Sequence, residues 1–266
     1  MSAEDYKSII RTIRVSKKLG QHFLINEDVA RAEARYAEGR RVVEMGPGLG
    51  ILTAQLCSVA KKVVAVERDS ALYEMLSERI DSQNLKLINA DFFDVGFRDL
   101  GNPDMMVANI PYNLSSKTIG WLAERGMEAV LCLQKEFVEH MMAEPDTRSY
   151  SKLSVVAHLQ FEVKHVMDVP LDNFYPVPNV DSVVVHIKPK KVLMDPAIIS
   201  IIGALMSHKK KKVRNAVMDA ADSLGMSKDG ARSLSDSVPY SDARLFKLEP
   251  EKIVEIARGI REFKRG

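Results

Sequence analysis

Arg41-Val-Val-Glu-Met45, running straight into Gly46-Pro-Gly-Leu-Gly50, decides the fold of this chain. The residues before the glycines read as a buried strand, and residues 51–60 carry apolar side chains at helical spacing. A strand, a glycine loop and a helix bring backbone N–H groups close to a ligand where the helix begins. The alternation then repeats. Residues 62–67 predict a second strand, residues 70–80 a helix with Ser70 as its cap, and residues 85–90 a third strand ending at Asp91-Phe92-Phe93. A fourth strand over 105–108, a helix from Ser115 or Ser116 through Leu122, and a fifth strand over 129–133 complete the series. Strands alternating with helices of this length predict βαβ units and an α/β fold with a parallel, doubly wound sheet.

Beyond Lys135 the rhythm changes. A helix through Met142, a loop at Pro145-Asp-Thr147 and a helix over 152–161 precede two candidate strands, 162–169 and 182–187. These flank the proline-rich Asn173-Phe-Tyr-Pro-Val-Pro178, and so short a connection predicts a hairpin with one strand antiparallel to the rest. Lys188-Pro-Lys-Lys191 marks a break in composition. The remainder of the chain reads as helical: residues 196–224, shorter elements capped at Ser227 and Ser241, and a last helix from Pro250 to about Phe263. The expected organisation is an arm over 1–20, a ligand-binding domain over 21–190 and a small helical domain over 191–266. The arm sets Lys7, Arg11, Arg14, Lys17 and Lys18 against Glu4 and Asp5, and reads either as a basic contact or as a solvated terminus.

A length of 266 residues suffices for one large domain plus a small one, and a hydrophobic fraction of 46% supports a sizeable core. The net charge is only +2, from 38 basic and 36 acidic residues. That excludes a global positive field, so any nucleic-acid site is a local patch. Cys57 and Cys132 lie in apolar surroundings without metal-ligand spacing, which predicts buried free thiols, no metal and a reducing, cytoplasmic setting. No apolar run approaches membrane-spanning length and no signal core opens the chain, so a soluble protein without a membrane partner is expected. No heptad seam is present, and the expectation is a monomer.

The glycines are spaced GxGxG, not the GxGxxG of a pyrophosphate loop. The shorter spacing suits a ligand without phosphates, such as S-adenosylmethionine (SAM), and the loop alone leaves another nucleotide open. Glu67, 17 residues past Gly50, can accept both ribose hydroxyls of an adenosine moiety. Asp91 suits either the cofactor's adenine amino group or a turn cap, with Phe92 packing on the ring. Asn109-Ile110-Pro111-Tyr112 then closes the fourth strand, at the sheet end where open α/β folds bind ligands. The exocyclic nitrogen of adenine is a poor nucleophile because its lone pair is delocalised into the ring. Two acceptors on its hydrogens restore that lone pair, and the Asn109 oxygen with a backbone carbonyl of the Ile110-Pro111 turn can supply them. Pro111 lacks an N–H and fixes the turn, while Tyr112 can stack on the base. Positioning would supply most of the rate. In isolation the four residues also read as an ordinary Asn-Pro turn.

With Gly20-Gln-His-Phe-Leu24, Val66-Glu-Arg-Asp69, Asn89-Ala-Asp91, Leu133-Gln-Lys-Glu136, Tyr150-Ser-Lys-Leu-Ser154 and Phe174-Tyr-Pro-Val-Pro-Asn-Val-Asp-Ser182, these motifs stand in an order that resembles one family. It is the rRNA adenine N6,N6-dimethyltransferases of the small ribosomal subunit (KsgA type), relatives of the Erm methylases. The resemblance covers residues 17–214 and, more loosely, the rest. It implies a Rossmann-like SAM-dependent methyltransferase fold with a seven-stranded, mostly parallel sheet, its last strand antiparallel, and a small all-helical C-terminal domain. It also implies dimethylation of two adjacent adenosines in a hairpin loop near the 3′ end of small-subunit rRNA, with the immature small subunit as partner. By position, SAM would be held by His22, Leu24, Gly46, Gly48, Glu67, Asp91, Phe92 and Asn109. Tyr112 and Phe174 would sandwich the target adenine. Phe174 alone, beside Pro176 and Pro178, reads as loop packing. The chain departs from the family at His22, where many relatives carry Asn, and at Ile110, commonly Leu.

Ser207-His-Lys-Lys-Lys-Lys-Val-Arg-Asn215 carries five cations and no acid. Lys209, Lys210, Lys211, Lys212 and Arg214 are the expected phosphate contacts, against the plainer reading of a solvated face. The apolar stripe of Ile198, Ile202, Leu205, Val213 and Ala216 would continue through Lys209, so either Lys209 snorkels or the helix breaks near Ser207-His208. Other functions fit parts of the pattern: an Erm-like enzyme on large-subunit rRNA, or an assembly factor with methylation secondary. A NAD-linked oxidoreductase lacks its GxGxxG.

Overall fold

The structure, a computed structural model, describes residues 22–190 and 194–265. The arm expected over 1–20, and with it Gly20 and Gln21 of the first motif, lie outside the described residues. Chain contacts divide the protein into two compact units. The first holds the described residues up to 122 with 127–135 and 163–188; the second holds 123–126, 136–162 and everything described from 189 onward. The change of unit at 189 falls beside the expected boundary, but residues 136–162 join the second unit as well.

The first unit contains β1 (Phe23–Leu24), α1 (Glu27–Ala34), β2 (Arg41–Met45), α2 (Ile51–Val59), β3 (Lys62–Glu67), α3 (Ser70–Arg79) and β4 (Leu85–Asn89). It also holds β5 (Met105–Asn109), β6 (Glu128–Gln134), β8 (Phe174–Tyr175) and the greater part of α4 (Ser115–Arg125), β7 (Phe161–Val169) and β9 (Ser182–Pro189). Seven of these strands form one sheet in the order β4-β3-β2-β5-β6-β9-β7. The pairs β4-β3, β3-β2, β2-β5 and β5-β6 are parallel, and β9 runs antiparallel to β6, from Ala129↔Ile187 to Gln134↔Ser182. This is the Rossmann-like methyltransferase sheet that the resemblance implied. Runs such as Val42-Val43, Val63-Val64 and residues 105–108 are buried throughout, as strands covered on both faces require. β8 leaves that sheet and pairs with β1 instead, Leu24 opposite Phe174.

The order has a direct consequence for binding. The chain steps outward from β2 to β4, then returns to β5 on the other side of β2. Strand order therefore reverses between β2 and β5, and the loops leaving their carboxyl ends splay apart to open a crevice. Those two loops are Gly46–Gly50 and Asn109–Tyr112.

Two helix starts differ from expectation. α3 is capped by Asp69, not Ser70: the Asp69 carboxylate accepts from the Ala71 and Leu72 N–H groups at 3.0 and 3.4 Å. A carboxylate facing the positive end of a helix is the stronger cap. Ser115 is already helical, at φ −52° and ψ −51°, because a 3-10 turn over Tyr112–Leu114 leads directly into α4.

The second unit contains α5 (Lys135–Met141), α6 (Lys152–Gln160), α7 (Pro196–Met206), α8 (Val213–Asp219), α9 (Lys228–Ser237) and α10 (Pro250–Phe263). Tyr150 and Val155 pack with Ile202, Leu205, Val213, Ile253 and Ile256 in its core, and the Tyr150 hydroxyl donates to the Leu248 carbonyl at 3.0 Å. The helix expected over 196–224 breaks at Ser207. Lys209 turns inward there and donates to the carbonyls of Arg148 and Tyr150, so of the two readings the helix break holds, and the lysine head is held by backbone carbonyls instead of reaching for water. Ser227 caps α9 through the Gly230 N–H. Ser241 caps no helix; the chain beside it is tied to residues 209–214 by Arg214 N–H to Ser241 O and by an antiparallel bridge between Lys212 and Arg244.

Candidate active site

Gly46, Gly48 and Gly50 all sit at positive φ, +68°, +56° and +80°, where side-chain-bearing residues are rare. This conformation turns the loop back over the end of β3. The Gly48 N–H donates to Glu67 Oε2 at 3.1 Å, and the Asp69 N–H donates to Oε1 at 2.8 Å. Burial raises the Glu67 carboxyl above its ordinary range, and these backbone donors pull it partly back.

Around this loop lies a pocket of about 170 Å³, open to solvent on one side. Gly46, Gly48, Glu67, Asp91, Phe92 and Asn109 all border it, together with His22. Leu24 borders a smaller adjoining hollow with Glu44 and the glycine loop. Asp91 serves as a turn cap, accepting from the Phe93 N–H at 3.0 Å, and its other oxygen lies 3.3 Å from Arg68. Phe92 is buried edge-on against Trp121, with ring centroids 5.1 Å apart.

A second hollow opens beside the first, bordered by His22, Asn109, Pro111, Tyr112, Cys132 and Phe174. The structure therefore brings together all four residues expected to hold the base. Phe174 arrives through β8 and is buried, at 3% exposure. Its loop is fastened by Asn26, whose amide donates to Asn173 Oδ1 at 2.6 Å, and by the 2.7 Å contact of His22 Nδ1 with the Pro176 carbonyl. Tyr112 is held by its hydroxyl, 2.9 Å from Ser182 Oγ, and its ring stacks with His22 at 5.5 Å. His22 thus borders both hollows.

Asn109 borders all three hollows. Its amide nitrogen donates to Glu33 Oε2 at 3.3 Å, while its oxygen is buried with no hydrogen-bond partner among the described residues. Glu33 and Glu44 are both fully buried, and burial pushes each carboxyl up to about 8. The sequence reading missed Glu33, Arg68 and Ser182. For Glu33 the signal was present: it sits on the apolar face of α1 with Val29, Ala30 and Ala34.

The basic segment is more committed than its sequence suggests. Lys211 pairs with Asp219, and Lys212 and Arg214 both reach Asp242, at 2.9 and 3.2 Å. Lys209 is spent on two carbonyls. Among the described residues Lys210 is the one of the five cations whose side chain has no such partner. Cys57 and Cys132 are free thiols, half-buried and buried. No cluster of three His, Cys, Asp or Glu residues among those described is disposed to hold a metal ion, and no described helix is long and apolar enough to cross a membrane.

A Rossmann-like sheet whose switch-point crevice holds a GxGxG loop, a buried glutamate at the end of β3 and an Asn-Ile-Pro-Tyr turn has the architecture of an α/β methyltransferase. The family model for ribosomal RNA adenine dimethylase matches residues 13–229. A probable ribosomal RNA small subunit methyltransferase A from Methanopyrus kandleri is 36% identical, over 98% of each chain. The protein of the same description from Pyrococcus abyssi is 38% identical over 94% of this chain and 93% of its own. Among solved structures, a dimethyladenosine transferase from Plasmodium falciparum superposes with a TM-score of 0.77 at 25% identity, covering 91% of this chain and 98% of that one. The chain belongs to the ribosomal RNA adenine dimethylase family and is a methyltransferase.

Proposed function

We propose that this chain uses SAM to dimethylate the N6 amines of two adjacent adenosines in a hairpin loop near the 3′ end of small-subunit rRNA, acting on immature small subunits. Asn109 carries the reading: its buried, unpartnered oxygen stands where the larger pocket meets the aromatic hollow. The descriptions of the curated relatives favour the small subunit as substrate.

The residues fit the donor. Gly46 and Gly48 let it approach the backbone, Glu67 offers carboxylate oxygens to a ribose, and Asp91 and Phe92 border the place of an adenine, with His22, Leu24 and Asn109 closing the site. When bound, SAM supplies a methyl group on a sulfonium, whose departure as a neutral thioether needs no Lewis acid. Asn109 Oδ1 and a carbonyl of the Ile110-Pro111 turn accept the two hydrogens of the target amine and draw its nitrogen towards tetrahedral geometry. Tyr112 and Phe174 hold the base once it has left its stack, as enzymes acting on single bases require. Lys210, with its paired neighbours Lys211, Lys212 and Arg214, offers positive charge to RNA phosphates, whereas Lys209 supports the fold. The enzyme would work as a cytoplasmic monomer without a metal.

The test is transfer of labelled methyl from SAM to immature small subunits, followed by nucleoside analysis. The expected product is N6,N6-dimethyladenosine. Its absence, or label appearing only in large-subunit rRNA, overturns the assignment.

A further inference from the structure

We infer that Glu33 is a positioning residue: it takes up the Asn109 amide nitrogen and so keeps the Asn109 oxygen turned towards the target amine. This rests on the proposed role of Asn109. An asparagine amide has a donor end and an acceptor end of nearly equal size, and half a turn about its last torsion exchanges them. With the wrong end forward, two N–H groups would face the hydrogens of the adenine amine. Glu33 is the group that decides, because its Oε2 lies 3.3 Å from Asn109 Nδ2 and an ionised carboxylate can only accept.

The surroundings of Glu33 argue against a purely structural role. It is completely buried on a face of α1 otherwise made of Val29, Ala30 and Ala34. The titratable groups facing it are Glu44 of β2 and Cys132 of β6, neither a cation. Asn109 makes its one side-chain hydrogen bond among the described residues, and its other oxygen, Oε1, has no partner. A leucine would fill this space without the cost of desolvating a carboxyl, but it would leave the Asn109 amide without its acceptor.

Ionisation enters as a consequence. A protonated Glu33 can hand its O–H to Asn109 Oδ1 and let the amide turn round; the ionised form cannot. Burial first, and the Glu44 carboxylate in addition, push Glu33 up to about 8, so turnover should rise with pH along a limb belonging to Glu33.

The experiment compares the wild type with Glu33→Leu and Glu33→Gln, reading Tm, the KM for SAM, and kcat on immature small subunits across pH 6–9. Glu33→Leu should keep a Tm within about 5 °C of wild type and a KM for SAM within about threefold, while kcat at pH 9 falls at least about tenfold, the loss expected for a hydrogen bond to a charged group. Glu33→Gln can donate as well as accept, as the protonated carboxyl can, so its kcat should stay within about threefold of the wild-type value at pH 6 and show no rise with pH. The inference fails if Glu33→Leu keeps its kcat at pH 9, if its Tm falls by more than about 5 °C, if only KM moves, or if Glu33→Gln keeps the wild-type rise with pH. A wild type that makes no dimethyladenosine would instead sink the proposed function.

Discussion

A methyl group added at either end of the glycine loop should separate folding from binding. Gly50→Ala places a Cβ 2.5 Å from Leu76 Cδ2 and 2.7 Å from Ile80 Cδ1, at φ +80°. The left-handed backbone costs an L-residue about 1–2 kcal/mol. Leu76 is itself 1% exposed and has nowhere to retreat, so overpacking adds about 1–3 kcal/mol. The sum, roughly 2–5 kcal/mol, corresponds to a fall in Tm of about 5–15 °C for a chain of this size. Gly46→Ala carries the same backbone cost at φ +68°, but its nearest neighbour is Pro111 Cδ at an ordinary 3.8 Å. It should lose only about 1–2 kcal/mol, a few degrees. Its methyl group, however, stands in the crevice where the donor is proposed to lie. Thermal unfolding with and without SAM reads both effects. Gly50→Ala should melt early yet keep the SAM-induced rise in Tm, and Gly46→Ala should melt near wild type and lose most of that rise. A Gly50→Ala protein within about 2 °C of wild type, or a Gly46→Ala protein with a full SAM response, refutes the reasoning.

Glu33 and Glu44, raised from 4.5 to about 8, hold protons in the folded state that the unfolded chain releases, so their contribution to stability is complete below about pH 4.5 and lost as pH rises through 8. The free energy of unfolding should therefore fall between pH 6 and 9, by at most about 1.4 kcal/mol per pH unit for each group and with Tm following it, and combining Glu33→Gln with Glu44→Gln should flatten the curve; an unchanged slope in the double variant would be fatal to the idea. Lys210→Glu should weaken rRNA binding and lower its salt slope by about one unit while leaving Tm and SAM binding alone, whereas Lys209→Ala should lower Tm; the reverse pattern would exchange their roles. Tyr112→Phe loses the Ser182 hydrogen bond but keeps its ring and should stay within about threefold of the wild-type kcat, while Tyr112→Ala should lose roughly tenfold or more, the value of one stacked base. Equal kcat values for those two variants would show that the ring does not hold the base.

The lining of the larger pocket was legible because each of its signals is local. Three glycines at GxGxG are needed for three positive φ angles in five residues, and each acid follows its own strand, Glu67 ending β3 and Asp91 following β4. Cap assignments failed by one residue at Asp69-Ser70, since both side chains can cap and the carboxylate won. The second unit was harder. Residues 136–162 read as part of the first domain because nothing in a local pattern says that Tyr150 and Val155 will pack with Ile202 and Ile253. The ion pairs of the lysine run were hidden in the same way: its acids, Asp219 and Asp242, lie outside the window in which it looked unopposed. Glu33 was passed over because one charged residue on an apolar helix face carries no motif.

The two hollows are therefore built by different kinds of contact. The larger pocket consists of loops leaving β2, β3 and β4, whose shapes follow from short runs of glycine, proline and acid. The aromatic hollow is assembled from segments far apart in sequence: His22 to Pro176 across 154 residues, Asn26 to Asn173 across 147, and Tyr112 to Ser182 across 70. Asn109 is common to both, as are His22 and Pro111, and its amide is held by a third segment, α1, through Glu33. The amide that would meet the target amine is therefore oriented from behind, by a helix that itself begins at Asn26, the anchor of the Phe174 loop. One short helix ties the acceptor of the amine to the aromatic wall of the base hollow. Changes to the second hollow should accordingly be felt at Asn109 while leaving the glycine loop and Glu67 in place.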